Sequence, residues 1–127
     1  MGPGERSEDA NAVSAALDKT LAALADPARR QVVDLLRERP HAAGELAAKL
    51  GVAAPAMSRH LRTLRESGIV TDSHPAFDAR VRVYALRREP LAALKAWVDA
   101  AEAMWAEELA AFKAHLESAA PERVDDD

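Results

Sequence analysis

The sequence predicts a mainly α-helical fold, with five helices and a two-stranded β-hairpin between the fourth helix and the fifth. Apolar residues recur every three or four positions in five stretches, which is the pattern of helices that bury one side. Glycine or proline stands between most of these stretches. Over residues 81–86, valine alternates with arginine and tyrosine, as in a strand with one buried face.

The first two helices are separated by an Asp-Pro pair. The first is predicted over about residues 12–24, where the apolar residues at helical spacing are Val13, Leu17, Leu21 and Leu24. Asp26 is suited to cap the second helix and Pro27 to begin it, because the first turn has no intrahelical partner for the N–H group that proline lacks. The second helix ends at or before Pro40 and is predicted to bury Val32, Leu35 and Leu36.

Two further helices follow, joined by a glycine turn. The third is predicted over about residues 43–50, closes at Gly51 in a left-handed conformation, and buries Leu46 and Leu50. Pro55 begins the fourth helix and Gly68 ends it. The buried face of this helix is predicted to consist of Met57, Leu61 and Leu64.

The hairpin and a long helix complete the chain. Strands are predicted over about residues 69–73 and 81–86. Pro90 opens a helix of about residues 91–117, whose apolar stripe consists of Leu91, Leu94, Val98, Ala101, Trp105, Phe112 and Leu116. This order of elements is that of a winged helix-turn-helix, in which the fourth helix enters the major groove of DNA and the hairpin is the wing.

One folded domain is expected over residues 12–118, between disordered tails at residues 1–11 and 119–127. The chain has no cysteine, which excludes disulfides, thiolate metal sites and a cysteine nucleophile. It has neither a membrane span nor a secretory signal, so a cytoplasmic location without a membrane partner is expected. The motif GxSxG and a glycine-rich phosphate loop are also absent, so we predict no enzyme activity and no cofactor.

The distribution of charge suggests a polyanionic partner, although the net charge of the chain is −4. Residues 54–90 contain seven arginines and four acidic residues, whereas residues 91–127 contain three basic and nine acidic residues. A positive segment beside an acidic one is typical of a protein with one face that contacts DNA. Solvated helix faces explain the same imbalance, so charge alone leaves both interpretations open.

The fourth helix carries candidate DNA contacts on the side opposite its apolar residues. In the major groove, Arg59 is suited to donate two hydrogen bonds to guanine, and Ser58 to contact a base or a phosphate. Arg62 lies one turn later and is suited to contact a phosphate. Two further arginines lie where a wing meets the DNA backbone. The full set of predicted DNA-contacting residues is Pro55, Ala56, Ser58, Arg59, Arg62, Thr63, Arg80 and Arg82.

Other interpretations of these residues remain open. Arg62 and Glu66 have the spacing of an exposed ion pair on an ordinary surface helix. His60 lies at the edge of the apolar face, which favours packing or a hydrogen bond over contact with a base. A protein-interaction module, in which the helix and wing bind an acidic protein, is the alternative from another functional class.

No metal site is predicted. The four histidines form no closely spaced pair, and cysteine is absent. A site of Asp99, Glu102 and His115 across paired C-terminal helices is disfavoured, because acidic residues on a solvated helix face are common. A metal-responsive regulator with a site on the C-terminal helices nevertheless stays as an alternative.

The apolar stripe of the last helix is longer than a core of this size covers, which favours a helix–helix dimer interface. A two-fold dimer also suits DNA whose half-sites lie about one helical turn apart. On this helix the predicted interface residues are Leu94, Val98, Ala101, Trp105 and Phe112.

Residues 24–30 (LADPARR), 44–47 (GELA) and 55–70 (PAMSRHLRTLRESGIV) carry a resemblance to a known family. They resemble the ArsR/SmtB family of bacterial transcriptional repressors, and the similarity extends over about residues 17–112. The resemblance implies a homodimeric winged-helix repressor that binds a palindromic operator on double-stranded DNA and leaves it when an effector binds. It also implies that the first helix joins the last in the dimer, through Val13, Leu17 and Leu21.

The chain departs from the family pattern in three places. The cysteine pair of the family's thiolate sensor has no counterpart. The metal site on the last helix of some members would need ligands where Ala101 and Ser118 stand. Relatives usually carry Ser, Thr or Gln just before the helix proline, where this chain has Ala53-Ala54, so a helix cap is missing. The resemblance is therefore to a branch without the cysteine metal site, and the effector is unknown.

Overall fold

Five helices and three short strands follow one another along the chain. The computed structural model describes residues 3–75, 77–78 and 80–119. In chain order the elements are α1 (Pro3–Leu24), α2 (Pro27–Glu38), β1 (His41–Ala42), α3 (Ala43–Leu50), α4 (Ala54–Glu66), β2 (Val70–Ser73), β3 (Val83–Leu86) and α5 (Arg88–Ala119). The predicted fold class and order of elements are confirmed, with β1 as an addition.

The first helix is longer than predicted. It begins at Pro3 rather than near Ala12, so the predicted disorder of residues 1–11 is wrong for residues 3–11. These residues lack apolar periodicity, but a helix that already exists grows by one backbone hydrogen bond per residue and needs no buried face. Residues 1–2 and 120–127, which include nearly all of the predicted acidic tail, lie outside the described residues.

The core lies where α2, α3, α4 and the strands meet. The three predicted apolar residues of α4 are all buried in it. Leu35 and Leu50 were predicted to be buried but lie half-buried at its edge. For Leu35 the reason is that the core covers the side of α2 that carries Val33 instead, whereas Leu50 is the last residue of α3. The buried apolar residues are Ala23, Val32, Val33, Leu36, Leu46, Met57, Leu61, Leu64, Ile69, Val70 and Tyr84.

Asp26 begins α2 as the sequence predicts. Its Oδ1 accepts hydrogen bonds from the backbone N–H groups of Ala28, at 2.8 Å, and Arg29, at 3.3 Å. Burial raises the pKa of this carboxyl, but the two N–H groups and the nearby charges of Arg29 and His60 outweigh burial and hold the pKa below its usual value. The N-cap is therefore strongest when Asp26 is ionised.

Two glycines end helices in the left-handed conformation that only glycine adopts without strain. Gly51 closes α3 at φ 65° and Gly68 follows α4 at φ 84°. Beyond Gly68, the N–H of Ile69 donates to the carbonyl oxygen of Leu64 at 3.0 Å, which folds the chain back onto the last turn of α4. The helix–turn–helix and the start of the wing are thus connected without a flexible linker.

The three strands form one antiparallel sheet in the order β1–β3–β2. The prediction of a two-stranded hairpin was incomplete, because a two-residue strand such as β1 is too short to show alternation. His41 of β1 pairs with Tyr84, is only 2% exposed, and has its Nδ1 2.8 Å from the carbonyl oxygen of Arg39. Val81 and Arg82 precede β3 rather than belonging to it, since the N–H of Val81 bonds to Asp78 in a turn.

The last helix begins at Arg88, slightly before the predicted start, so Pro90 lies in its first turn, where proline is tolerated. Residues up to Leu94 belong to the compact unit described above, and residues 95–119 form a separate helical unit. Every residue of that range is exposed. Among the described helices, none is long and apolar enough to cross a membrane.

Replacing Asp26 with Ala is expected to lower the midpoint of thermal unfolding by about 4–8 °C at neutral pH, because α2 loses its side-chain cap. The folded-state pKa of Asp26 lies below its ordinary value of 3.8, so its stabilisation is present above that pH and is lost as pH falls through the folded-state pKa. The difference between wild type and variant should shrink below about pH 4.

Circular dichroism melts at neutral and acidic pH measure this difference. Asp34→Ala, at an exposed carboxylate within α2, is the control for loss of charge alone. Equal melting points of Asp26→Ala and Asp34→Ala at neutral pH would contradict the prediction.

Candidate nucleic-acid interface

α4 has one buried side and one exposed side. Met57, Leu61 and Leu64 are buried, whereas Ser58, Arg59 and Arg62 are exposed, as predicted. Burial of the apolar side sets the rotation of the helix about its axis and holds the polar side toward solvent. Exposed guanidinium groups on one helix face are what a helix in the major groove uses to reach guanine bases and phosphates.

The arginines on this exposed side are not neutralised within the part of the chain that the structure describes. Neither Arg59 nor Arg62 forms an ion pair there, and the predicted alternative, a pair between Arg62 and Glu66, is not formed. Both guanidinium groups keep their donors for an external acceptor. Of the other predicted contact residues on α4, Pro55 is exposed, and Ala56 and Thr63 are half-buried.

The start of α4 has no side-chain cap. Ala53 is the N-cap, with φ −62° and ψ 146°, and its methyl group cannot accept a hydrogen bond. Pro55, in the first turn, removes one of the N–H groups that a cap would satisfy. The departure seen in the sequence at Ala53-Ala54 is therefore also present in the structure.

His60 faces α2 rather than the exposed side of α4. It is half-buried, and its Nδ1 lies 3.4 Å from Nη1 of Arg29. The same arginine donates from Nε to the carbonyl oxygen of Ala23, at 2.7 Å, and from Nη2 to that of Ala22, at 3.3 Å. These contacts favour the interpretation of His60 as a packed residue, and they join α4 to the C-terminal end of α1 through Arg29.

A polar cleft separates α4 from the wing, which we define as β2, β3 and the described residues between them (74–75, 77–78 and 80–82). The volume of the cleft is about 160 Å³. Positions 58, 61, 62 and 65 share one side of α4, since they are three, four and seven residues apart. The cleft is lined by Ser58, Leu61, Arg62, Arg65, Arg82 and Tyr84.

Asp72 of β2 contacts two of the three arginines of this cleft. Its Oδ2 lies 3.2 Å from Nε of Arg82 and 3.6 Å from Nη1 of Arg65. Its side chain is 20% exposed, whereas both arginine side chains are more than 40% exposed. Asp72 therefore offsets part of the positive charge where helix and wing meet, while Arg62 keeps its full charge for an external group.

The turn at the tip of the wing is arranged around Asp78. Its Oδ1 accepts from the backbone N–H of Arg80, at 3.0 Å, and lies 3.4 Å from Nε of the same arginine. The Arg80 side chain is 93% exposed, so this pair is held only loosely. Arg80 thus extends from the wing without contacting the cleft.

The structure brings some of the predicted contact residues together and separates others. Ser58, Arg62 and Arg82 line one cleft, whereas Arg59 and Arg80 do not line it. Arg65 also lines the cleft, although it is not among the residues predicted to contact DNA. The contacts of Asp72 were missed, because they depend on the strand register, in which Asp72 lies opposite Tyr84.

The predicted metal alternative gains no geometric support from the residues that the structure describes. Within a single chain they include no group of three or more His, Asp or Glu side chains that could hold a metal ion.

Comparison with known proteins identifies the segment that carries this geometry. The family model described as "Bacterial regulatory protein, arsR family" matches residues 26–72, from the cap of α2 to the middle of β2. The matched segment contains all of α4 and the Asp72 carboxylate.

Individual proteins resemble more of the chain. The HTH-type transcriptional regulator Rv2034 of Mycobacterium tuberculosis is 44% identical over 82 residues, which cover 65% of this chain and 74% of that protein. The transcriptional repressor SdpR of Bacillus subtilis is 30% identical over 56 residues, which cover 44% of this chain and 62% of that protein. The crystal structure of the ArsR family transcriptional regulator RHA00566 has a TM-score of 0.66 and 33% sequence identity, and the match covers 72% of this chain and 92% of that one.

Replacing Ala53 with Ser should raise the free energy of unfolding by about 1 kcal/mol, because the hydroxyl supplies the missing acceptor for the first turn of α4. Urea denaturation measures the change. Ala54→Ser is the matched control, since its hydroxyl lies inside the helix rather than at the cap. The prediction fails if both serine variants have the stability of wild type.

Proposed function

Since the chain belongs to the ArsR family of bacterial regulatory proteins, and is therefore a DNA-binding transcriptional regulator, we propose that it acts as a homodimeric repressor on a palindromic operator. The observation that carries this proposal is the exposed side of α4, where Arg59 and Arg62 have no ion-pair partner within the described residues. The similarity to the repressor SdpR supports repression rather than activation. Such a protein works where bacterial DNA lies, in the cytoplasm.

We assign the reading of bases to the N-terminal half of α4. Arg59 is exposed and has the forked donors that match the acceptors of guanine in the major groove. Ser58, its exposed neighbour, can donate to a base or to a phosphate. Pro55, Ala56 and Thr63 complete the surface of α4 that approaches the groove, and their contribution is shape rather than charge.

The remaining arginines contact the DNA backbone in this proposal. Arg62 lies one turn beyond Ser58 and faces the cleft between α4 and the wing, while Arg82 faces the same cleft from the wing. Arg80, at the exposed tip of the wing, reaches a phosphate farther from the groove. Phosphate contacts position the protein, and base contacts distinguish one sequence from another.

Exposed apolar side chains support the homodimer. Trp105 is 63% exposed and Phe112 is 60% exposed, although burial of aromatic side chains of this size is strongly favourable. Of the other predicted interface residues, Val13, Leu21, Val98 and Ala101 are exposed, and Leu17 and Leu94 are half-buried. An exposed apolar stripe along a helix is typical of a protein interface.

A palindromic operator follows from the dimer. Two copies of α4 related by a two-fold axis read the same bases on opposite strands, so the preferred DNA repeats its half-site in inverted order. Selection of bound sequences from a random DNA pool, followed by titration of the selected and scrambled duplexes, tests the proposal. Equal weak binding to both duplexes would favour the protein-interaction module instead.

Arg59→Ala is expected to weaken binding to the selected duplex by about 1–3 kcal/mol and to relax preference at one base position in each half-site. Arg62→Ala should weaken binding to selected and scrambled duplexes alike and reduce the salt slope by about 0.9 for each phosphate that is no longer neutralised. Fluorescence anisotropy titrations at several salt concentrations measure both effects. If the two variants lose affinity and specificity in the same proportions, the division between base reading and phosphate contact is wrong.

Trp105→Ala is expected to weaken the dimer by at least about 2 kcal/mol, or roughly 30-fold in the dissociation constant, because a large aromatic side chain is removed from the interface. Sedimentation equilibrium measures the change. Lys113→Ala, which removes an exposed charged side chain from the same helix, is the control. An unchanged association constant for Trp105→Ala would exclude this face of α5 from the interface.

A further inference from the structure

The lining of the cleft between α4 and the wing is chemically suited to an anion. Arg62 and Arg65 approach it from the helix and Arg82 from the wing, while Ser58 adds a hydroxyl group. Its volume of about 160 Å³ accommodates a phosphate group together with water, since one water molecule occupies about 30 Å³ in the liquid. Three guanidinium groups in so small a space repel one another unless an anion lies between them.

Asp72 supplies the negative charge at this point in the free protein. Its Oδ2 lies 3.2 Å from Nε of Arg82 and 3.6 Å from Nη1 of Arg65. A carboxylate oxygen and a phosphate oxygen are equivalent acceptors for a guanidinium group. Both arginines therefore already contact an internal group that resembles a phosphate oxygen.

The contacts of Asp72 are too weak to be needed as a structural brace. All three side chains are partly exposed, and exposed ion pairs of this kind contribute little to stability. The base of the wing is held instead by the backbone: the N–H of Ile69 bonds to Leu64, and the N–H of Arg87 bonds to Ile69 at 2.8 Å. An acidic group that is not required to hold the wing needs another explanation.

We propose that this cleft takes one phosphate of the DNA backbone, and that Asp72 is an internal competitor that must release Arg65 and Arg82 before they bind it. The inference rests on the proposed function, and it names a carboxylate that restrains DNA binding rather than one more residue that contributes to it. Arg62 attracts the phosphate first, because it has no ion-pair partner within the described residues. Arg65 and Arg82 then exchange Asp72 for the phosphate.

The competition has a consequence for the strength of non-specific DNA binding. Contacts to phosphate favour every DNA sequence equally, so a carboxylate that offsets them lowers the affinity for all duplexes. The contribution of base reading through Arg59 is unaffected. Asp72 thus lowers the affinity for random DNA and for the operator by the same factor, and it keeps the protein from binding tightly to random DNA.

The test uses Asp72→Asn in the full chain, because asparagine keeps the size of the side chain and removes its charge. The probe is a short duplex of random sequence, titrated by fluorescence anisotropy between about 50 and 200 mM salt. The expected result is an affinity roughly threefold to tenfold higher than wild type at the low-salt end, as two exposed ion pairs no longer compete with phosphate. The salt slope should also become steeper, by up to about 0.9 for each arginine released.

Two control variants identify the cause. Asp34→Asn makes the same change in net charge at an exposed position of α2, outside the cleft, and should produce a much smaller gain. In a chain that already carries Arg65→Ala and Arg82→Ala, Asp72→Asn should produce no gain, because the competing arginines are absent. Thermal unfolding of each variant verifies that the fold is intact.

The outcomes separate this inference from the function on which it rests. If wild type binds neither random nor selected duplex, the proposed function fails and the competition fails with it. If wild type binds but Asp72→Asn binds equally or more weakly, Asp72 either stabilises the fold or plays no part in DNA binding. Only the proposed competition is then overturned. A gain that persists without Arg65 and Arg82 would also overturn it, since the effect would then be general electrostatics.

Discussion

The burial of Met57, Leu61 and Leu64 is the constraint on which the rest of the structure depends. These three side chains determine which side of α4 faces the core, and therefore which side chains face outward. A rotation of the helix by a third of a turn would bury arginine and expose leucine, at a cost far above the stability of a small domain. The positions of the exposed arginines are thus set by apolar residues that are themselves buried.

Much of this arrangement was predictable from the sequence, because it is encoded in local signals. The Asp26-Pro27 cap, the left-handed glycines and the apolar spacing of α4 each act within a few residues, and each has the predicted structural effect. Strand β1 and the contacts of Asp72 were missed for a common reason. Both depend on which residue lies opposite which across the sheet, and that register is set by packing rather than by any local pattern.

Local rather than total charge governs what this molecule can bind. The chain is acidic overall, yet the described residues that line the cleft between α4 and the wing include three arginines. Charges beyond about a Debye length, roughly 8–10 Å at physiological salt, are largely screened. An anion at the cleft therefore responds to the arginines and to Asp72 beside them, whereas the net charge of the chain acts on solubility and on non-specific association.

Arg29 couples the C-terminal end of α1 to α4 through its side-chain contacts. One guanidinium group holds two carbonyl oxygens at the C-terminal end of α1 and lies against the imidazole of His60 on α4. Arg29 thus contacts both a helix proposed for dimerisation and the helix proposed for DNA recognition. In the proposed dimer, a shift of α1 against its partner would change the acceptors of Arg29 and the position of α4. Such a shift would link dimer packing to operator affinity.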